Sequence, residues 1–125
     1  MPKIRIDLSS DTVTRPTPAM REFISRARVG NEQNREDPTV NRLVEMVCDL
    51  LGKEDALYLP SGTMCNQIAW RVHCQPSDEI LMDETAHTRH YETGGASALS
   101  GASIYPLAGK HGIFSADQLE AAIRP

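Results

Sequence analysis

The sequence predicts an α/β fold with a mostly parallel sheet. Two observations carry this: short runs that are apolar throughout, and amphipathic helical stretches lying between them. A strand without polar alternation suits a parallel sheet covered on both faces. Strands that alternate with helices imply right-handed crossovers.

The elements follow in order along the chain. Residues 1–17 are polar and irregular after a short alternation at 4–8, and they form an N-terminal arm. Pro18 suits the first position of a helix running to about residue 29, where its missing N–H costs nothing. Residues 30–36 are a polar loop. Asp37 then caps and Pro38 opens a second helix, with Val40, Leu43, Val44, Val47, Leu50 and Leu51 on one face. Gly52 stops it. Residues 56–60 and 80–82 read as buried strands, and residues 61–74 between them as a helix with Met64, Ile68, Ala69 and Val72 available for packing. Residues 103–107 form a weaker strand, which Pro106 restricts to an edge or a strand end. Ser115 and Gln118 form a capping box for a last helix, with Leu119, Ala122 and Ile123 on its apolar side. About three strands are fewer than the roughly four to six of a typical sheet. Residues 18–125 are therefore expected to be the first, incomplete part of a larger domain.

Composition narrows the function classes. With 13 Lys+Arg against 17 Asp+Glu, the net charge of −4 gives no electrostatic reason to expect nucleic acid or an anionic membrane. No apolar run approaches the roughly 20 residues of a membrane span, and the first residues lack the apolar core of a signal peptide. Three cysteines without a Cys-x-x-Cys pair argue for reduced thiols and a cytoplasmic protein. His87 and His90 lie three apart, but no zinc-ligand spacing is present, so no metal is expected.

Two polar segments carry the chemistry. Ser61-Gly62-Thr63 falls between a strand and a helix, where backbone N–H groups lack internal partners and the helix dipole favours an anion. Gly62 permits close approach, and the hydroxyls of Ser61 and Thr63 add donors for one phosphate group. A plain cap with a turn glycine uses the same residues, and taken alone it is the commoner use. No Gly-Lys-Ser/Thr or GxGxxG pattern follows, so this is not a nucleotide loop. The second segment, residues 83–92, holds His87, His90, Tyr91 and Glu92 after the next strand. In parallel sheets ligands bind beyond the carboxyl ends of strands, so both segments point to one edge. His87 can stack on a flat ring or move a proton near neutral pH; a structural histidine is the bland alternative.

The ordered motifs Asp7-Leu-Ser-Ser-Asp-Thr-Val-Thr-Arg-Pro-Thr, Glu36-Asp-Pro-Thr-Val-Asn, Leu51-Gly-Lys-Glu, Pro60-Ser-Gly-Thr-Met-x-Asn-Gln, His87-x-x-x-Tyr-Glu and Leu99-Ser-Gly resemble the N-terminal part of low-specificity L-threonine aldolases. These belong to the fold-type I enzymes dependent on pyridoxal phosphate. The likeness covers about residues 4–125, and the ordered set is more specific than any single motif. It implies the large domain of the aspartate aminotransferase type, and cleavage of L-threonine or L-allo-threonine to glycine and acetaldehyde. It assigns Ser61, Gly62 and Thr63 to the cofactor phosphate, and His87 to the ring face and the base for the substrate hydroxyl. Ser10, Tyr91 and Glu92 fall to the substrate. A homotetramer with active sites shared between subunits is implied as well.

The pattern is broken at two places. Asn34 and Arg35 stand where the family usually has Tyr-Gly, and His90 stands where an aromatic residue is frequent; both bear on substrate preference. Lys3, Lys53 and Lys110 are the only lysines, and none matches the family's cofactor lysine. Residues 1–125 by themselves are thus expected to bind the cofactor weakly at best and not to catalyse. Two other readings fit the same residues: an inactive phosphate-binding or oligomerisation fragment, and a lyase or aldolase for another β-hydroxy amino acid.

Overall fold

Among the described residues, four of the five α-helices start at side-chain caps that the sequence carries locally. The computed structural model describes residues 6–124, so Lys3 and the beginning of the expected alternation at 4–8 lie outside the described residues. Two units divide the chain, the first ending at Tyr58 and the second beginning at Leu59.

In the first unit, α1 (Pro18–Arg26) is capped by Thr17, whose Oγ1 accepts from the Met20 amide. It ends three residues before the predicted stop. The next segment is held by the following helix instead: the Thr39 hydroxyl donates to the Arg28 carbonyl, and the Gly30 amide donates to Asp37 Oδ2 at 3.0 Å. Helix α2 (Pro38–Leu51) has the expected cap, with Asp37 Oδ1 accepting from the Thr39 and Val40 amides at 2.9 Å each. Gly52 closes it in the left-handed conformation at φ 63°. The apolar residues of both helices stay largely exposed, including Phe23, Ile24, Met46, Leu50 and Leu51. Phe23, Leu43, Met46 and Tyr58 border an apolar groove of about 840 Å³.

The predicted strand at 56–60 does not form. Its backbone has no ladder partner among the described residues, and Leu57 and Tyr58 are 68% and 50% exposed where burial was expected. A strand exists only through a partner, which a local apolar run does not guarantee.

The second unit opens with α3 (Gly62–His73), capped by Ser61 as expected. Its intended packing residues Met64, Ile68 and Val72 remain exposed. Strand β1 (Glu79–Asp83) and strand β2 (Ser103–Leu107) pair in parallel, Glu79 opposite Ser103 and Asp83 opposite Leu107. Between them run the short helix α4 (His87–Tyr91) and a π-helical turn at Ala96–Ser100 that packs against α3. Helix α5 (Ala116–Ala122) carries the predicted capping box of Ser115 and Gln118. The buried apolar residues Ala96, Ala102 and Leu107 cluster around this crossover, together with the buried polar residues Asp83, Glu92 and Ser100. Among the described residues, no helix is long and apolar enough to cross a membrane.

Candidate active site

The start of α3 combines a side-chain cap with open backbone donors. Ser61 Oγ accepts from the Met64 amide at 3.1 Å, and the Ser61 carbonyl accepts from Cys65. The amides of Gly62 and Thr63 have no acceptor among the described residues. A Cβ added to Gly62 would meet nothing within 4 Å, so the space beside this backbone is open. The hydroxyls of Ser61 and Thr63 remain free to donate to a bound group.

The turn after β1 delivers His87. Asp83 is buried at the carboxyl end of the strand, and its Oδ1 accepts from the Thr85 hydroxyl and, at 2.8 Å, from the Thr85 amide. The Thr85 hydroxyl, with help from the Thr85 amide, holds the Asp83 carboxyl below its ordinary pKa. The Ala86 amide donates to the Asp83 carbonyl, so the chain turns at once into α4. Arg89 Nη1 and His90 Nε2 both reach the Glu84 carbonyl, at 2.8 and 2.7 Å. A carbonyl only accepts, so His90 Nε2 carries a proton there. His90 therefore fixes the turn, whereas the exposed His87 ring lies 5.1 Å from that of Tyr91, one helical turn away.

Glu92 differs from its neighbours because it points inward. It is 3% exposed, and its two oxygens accept from Asn66 Nδ2 at 2.8 Å and Gln67 Nε2 at 2.9 Å, both on α3. The structure thus joins the elements carrying Ser61, Gly62 and Thr63 to those carrying His87 and Tyr91. Ser10 belongs to the first unit, where its Oγ accepts from the Thr12 amide at 3.2 Å. Asn34 ends a short 3-10 turn, and Arg35 follows it in the left-handed region at φ 58°. That conformation explains why glycine suits this position. Sequence reasoning held Asn66 and Gln67 within the Pro60–Gln67 motif without giving them a role, and passed over Gly95, because their importance comes from contacts 25 residues and more away.

The beta-eliminating lyase family matches residues 7–125. This chain belongs to that family. It is 43% identical over 123 residues to low-specificity L-threonine aldolase 1 of Arabidopsis thaliana, covering 95% of this chain and 34% of the relative. With the low specificity L-threonine aldolase of Escherichia coli (strain K12) it shares 40% over 121 residues, 96% of this chain and 36% of the relative. Aldolase vrtJ of Penicillium aethiopicum is 40% identical over 99 residues, 78% of this chain and 26% of the relative. The chain spans about a third of the length of the plant and bacterial relatives.

Membership in this family implies pyridoxal phosphate, which carries one phosphate and one flat ring. The residues present fit it at both ends. Two unpartnered amides, two hydroxyls and open space beside Gly62 suit the phosphate. The exposed His87 imidazole suits a ring face.

Proposed function

We propose that the intact protein carrying this sequence is a pyridoxal-phosphate-dependent aldolase that cleaves L-threonine and L-allo-threonine to glycine and acetaldehyde. The observation that carries this reading is the anion-ready start of α3 joined through Glu92 to the helix bearing His87. The names of the plant and bacterial relatives support the substrate. When bound, pyridoxal phosphate supplies the electron sink for the charge left at Cα.

The protein's own residues do the remaining work. The Gly62 and Thr63 amides and the Ser61 and Thr63 hydroxyls would hold the cofactor phosphate. His87 would lie against the cofactor ring, exclude water there and take the proton of the substrate β-hydroxyl. Tyr91 borders the same space from one turn along α4, and Ser10 would fall to the substrate carboxylate by family resemblance alone. The protein works in the cytoplasm as a homotetramer. Residues 1–125 alone do not catalyse, because neither Lys53 nor Lys110 takes the place of the cofactor lysine.

Glycine release from L-threonine by the intact, cofactor-loaded protein tests the reading. His87→Asn is expected to lower kcat by about 10²–10⁴ while the bound cofactor's visible absorbance persists. A loaded protein that cleaves neither threonine epimer would sink the proposal. A second reading, cleavage of a different β-hydroxy amino acid, draws on Asn34, Arg35 and His90 at the positions that depart from the family pattern. A panel of such substrates in the same assay separates the two.

A further inference from the structure

We propose that Glu92 is a positioning residue: it couples the anion-holding start of α3 to the helix bearing His87 and does not touch substrate. This rests on the roles given above to Ser61–Thr63 and His87. Each Glu92 oxygen already has one amide donor, from Asn66 and Gln67, and the residue is buried. With the residue only 3% exposed, little of the carboxylate is open to a ligand.

Placement gives the contact its leverage. Asn66 and Gln67 stand three and four residues beyond Thr63, one turn along the same rigid helix. Glu92 directly follows Tyr91, the last residue of α4, whose first residue is His87. A shift of His87 relative to the α3 start must therefore stretch one of these two bonds. The chain beyond Glu92 tightens the arrangement. Gly95 donates its amide to the Glu92 carbonyl at 3.1 Å. A Cβ at Gly95 would collide with the Gln67 side-chain amide, so the backbone lies directly on that amide. Gln67 is held between the Glu92 carboxylate on one side and the Gly95 backbone on the other. Reaction geometry is sensitive to such placement, since a displacement of about 1 Å can cost roughly a hundredfold in rate.

A donor–acceptor exchange tests this in the intact protein. Glu92→Gln keeps the shape but sets one amide against another, which breaks one of the two bonds. Combining Glu92→Gln with Gln67→Glu restores both, because the new amide accepts from Asn66 and donates to the new carboxylate on α3. With cofactor saturating, Glu92→Gln is expected to lower kcat about tenfold to a hundredfold with KM within roughly twofold. In the cofactor-free protein it is expected to raise hydrogen–deuterium exchange across residues 87–95. The combined variant is expected to recover kcat to within roughly threefold and to bring exchange back to the unmodified level.

A kcat that the combined variant fails to recover would mean that the carboxylate acts on the substrate, and would overturn the proposal. So would a rise in KM at unchanged kcat, or faster exchange at 87–95 with kcat unchanged. If the unmodified protein cleaves no threonine, the functional reading fails separately, and the exchange measurement still decides: unchanged exchange in Glu92→Gln overturns the coupling.

Discussion

Replacing Gly62 with alanine sets two uses of the same helix start against each other. The residue is the first of α3 and does not lie in the left-handed region, and an added Cβ meets nothing within 4 Å. Alanine therefore fits the protein without strain, and its smaller unfolded-state entropy stabilises the fold by about 0.5 kcal/mol. In a large domain that raises the melting temperature of the cofactor-free protein by about 1–2 °C. The same methyl group occupies the open space beside the free Gly62 and Thr63 amides. A phosphate oxygen kept out of reach of one amide loses a charge-assisted hydrogen bond, about 1.5–3 kcal/mol. That weakens cofactor affinity by about ten- to a hundredfold. Titration of the cofactor-free intact protein with pyridoxal phosphate, followed by visible absorbance, reads the affinity, and a melting curve reads the stability. The two are expected to move in opposite directions. A higher melting temperature with unchanged affinity would reduce Gly62 to a turn residue and refute the phosphate role.

Two further outcomes test the first unit. Arg35→Gly relieves a left-handed arginine at about 1–2 kcal/mol, against about 0.5–1 kcal/mol of glycine entropy. The ion pair it removes, Arg35 Nη2 to Asp55 Oδ2 at 3.4 Å, is exposed and worth little. A small rise in melting temperature is expected, and a fall would contradict the conformational explanation. The Val40 and Gly30 amides, in that order, hold the Asp37 carboxyl below its ordinary 3.8. A lowered folded-state value means that the contribution is present above 3.8 and is lost as pH falls through the folded value. Denaturant midpoints followed downward from pH 5 should therefore drop less steeply in Asp37→Asn than in the unmodified protein, and parallel curves would refute the assignment.

The sequence was most legible where structure is decided locally. Asp37-Pro38, Ser61 and the Ser115–Gln118 box place helix starts because caps act over three residues, and all three are found as expected. The segment at 56–60 misled because an apolar run reveals its own character and not its partner. The strand at 103–107, which looked weaker, is fully paired because β1 supplies that partner. The π-helical turn at Ala96–Ser100 was not legible either. Ala96 and Ser100 are buried within it and the turn packs against α3, and no local pattern announces it. In the site, His87 and Ser61–Thr63 stood out by residue type and position. The inward turn of Glu92 did not, since it depends on amides 25 and 26 residues earlier.

Pro106 gives the sheet a direction of growth. The Ser103 amide donates to the Asp78 carbonyl, and Glu84 donates to Leu107, so residues 103, 105 and 107 face β1. The nitrogen of Pro106 consequently faces the outer side of β2, where it removes a donor that any further strand would need. An added strand is disfavoured there and finds a full set of backbone groups only along the far side of β1. Proline thus acts as a one-sided stop against mispairing. It leaves the far edge of β1 as the edge on which a further strand would find every backbone donor.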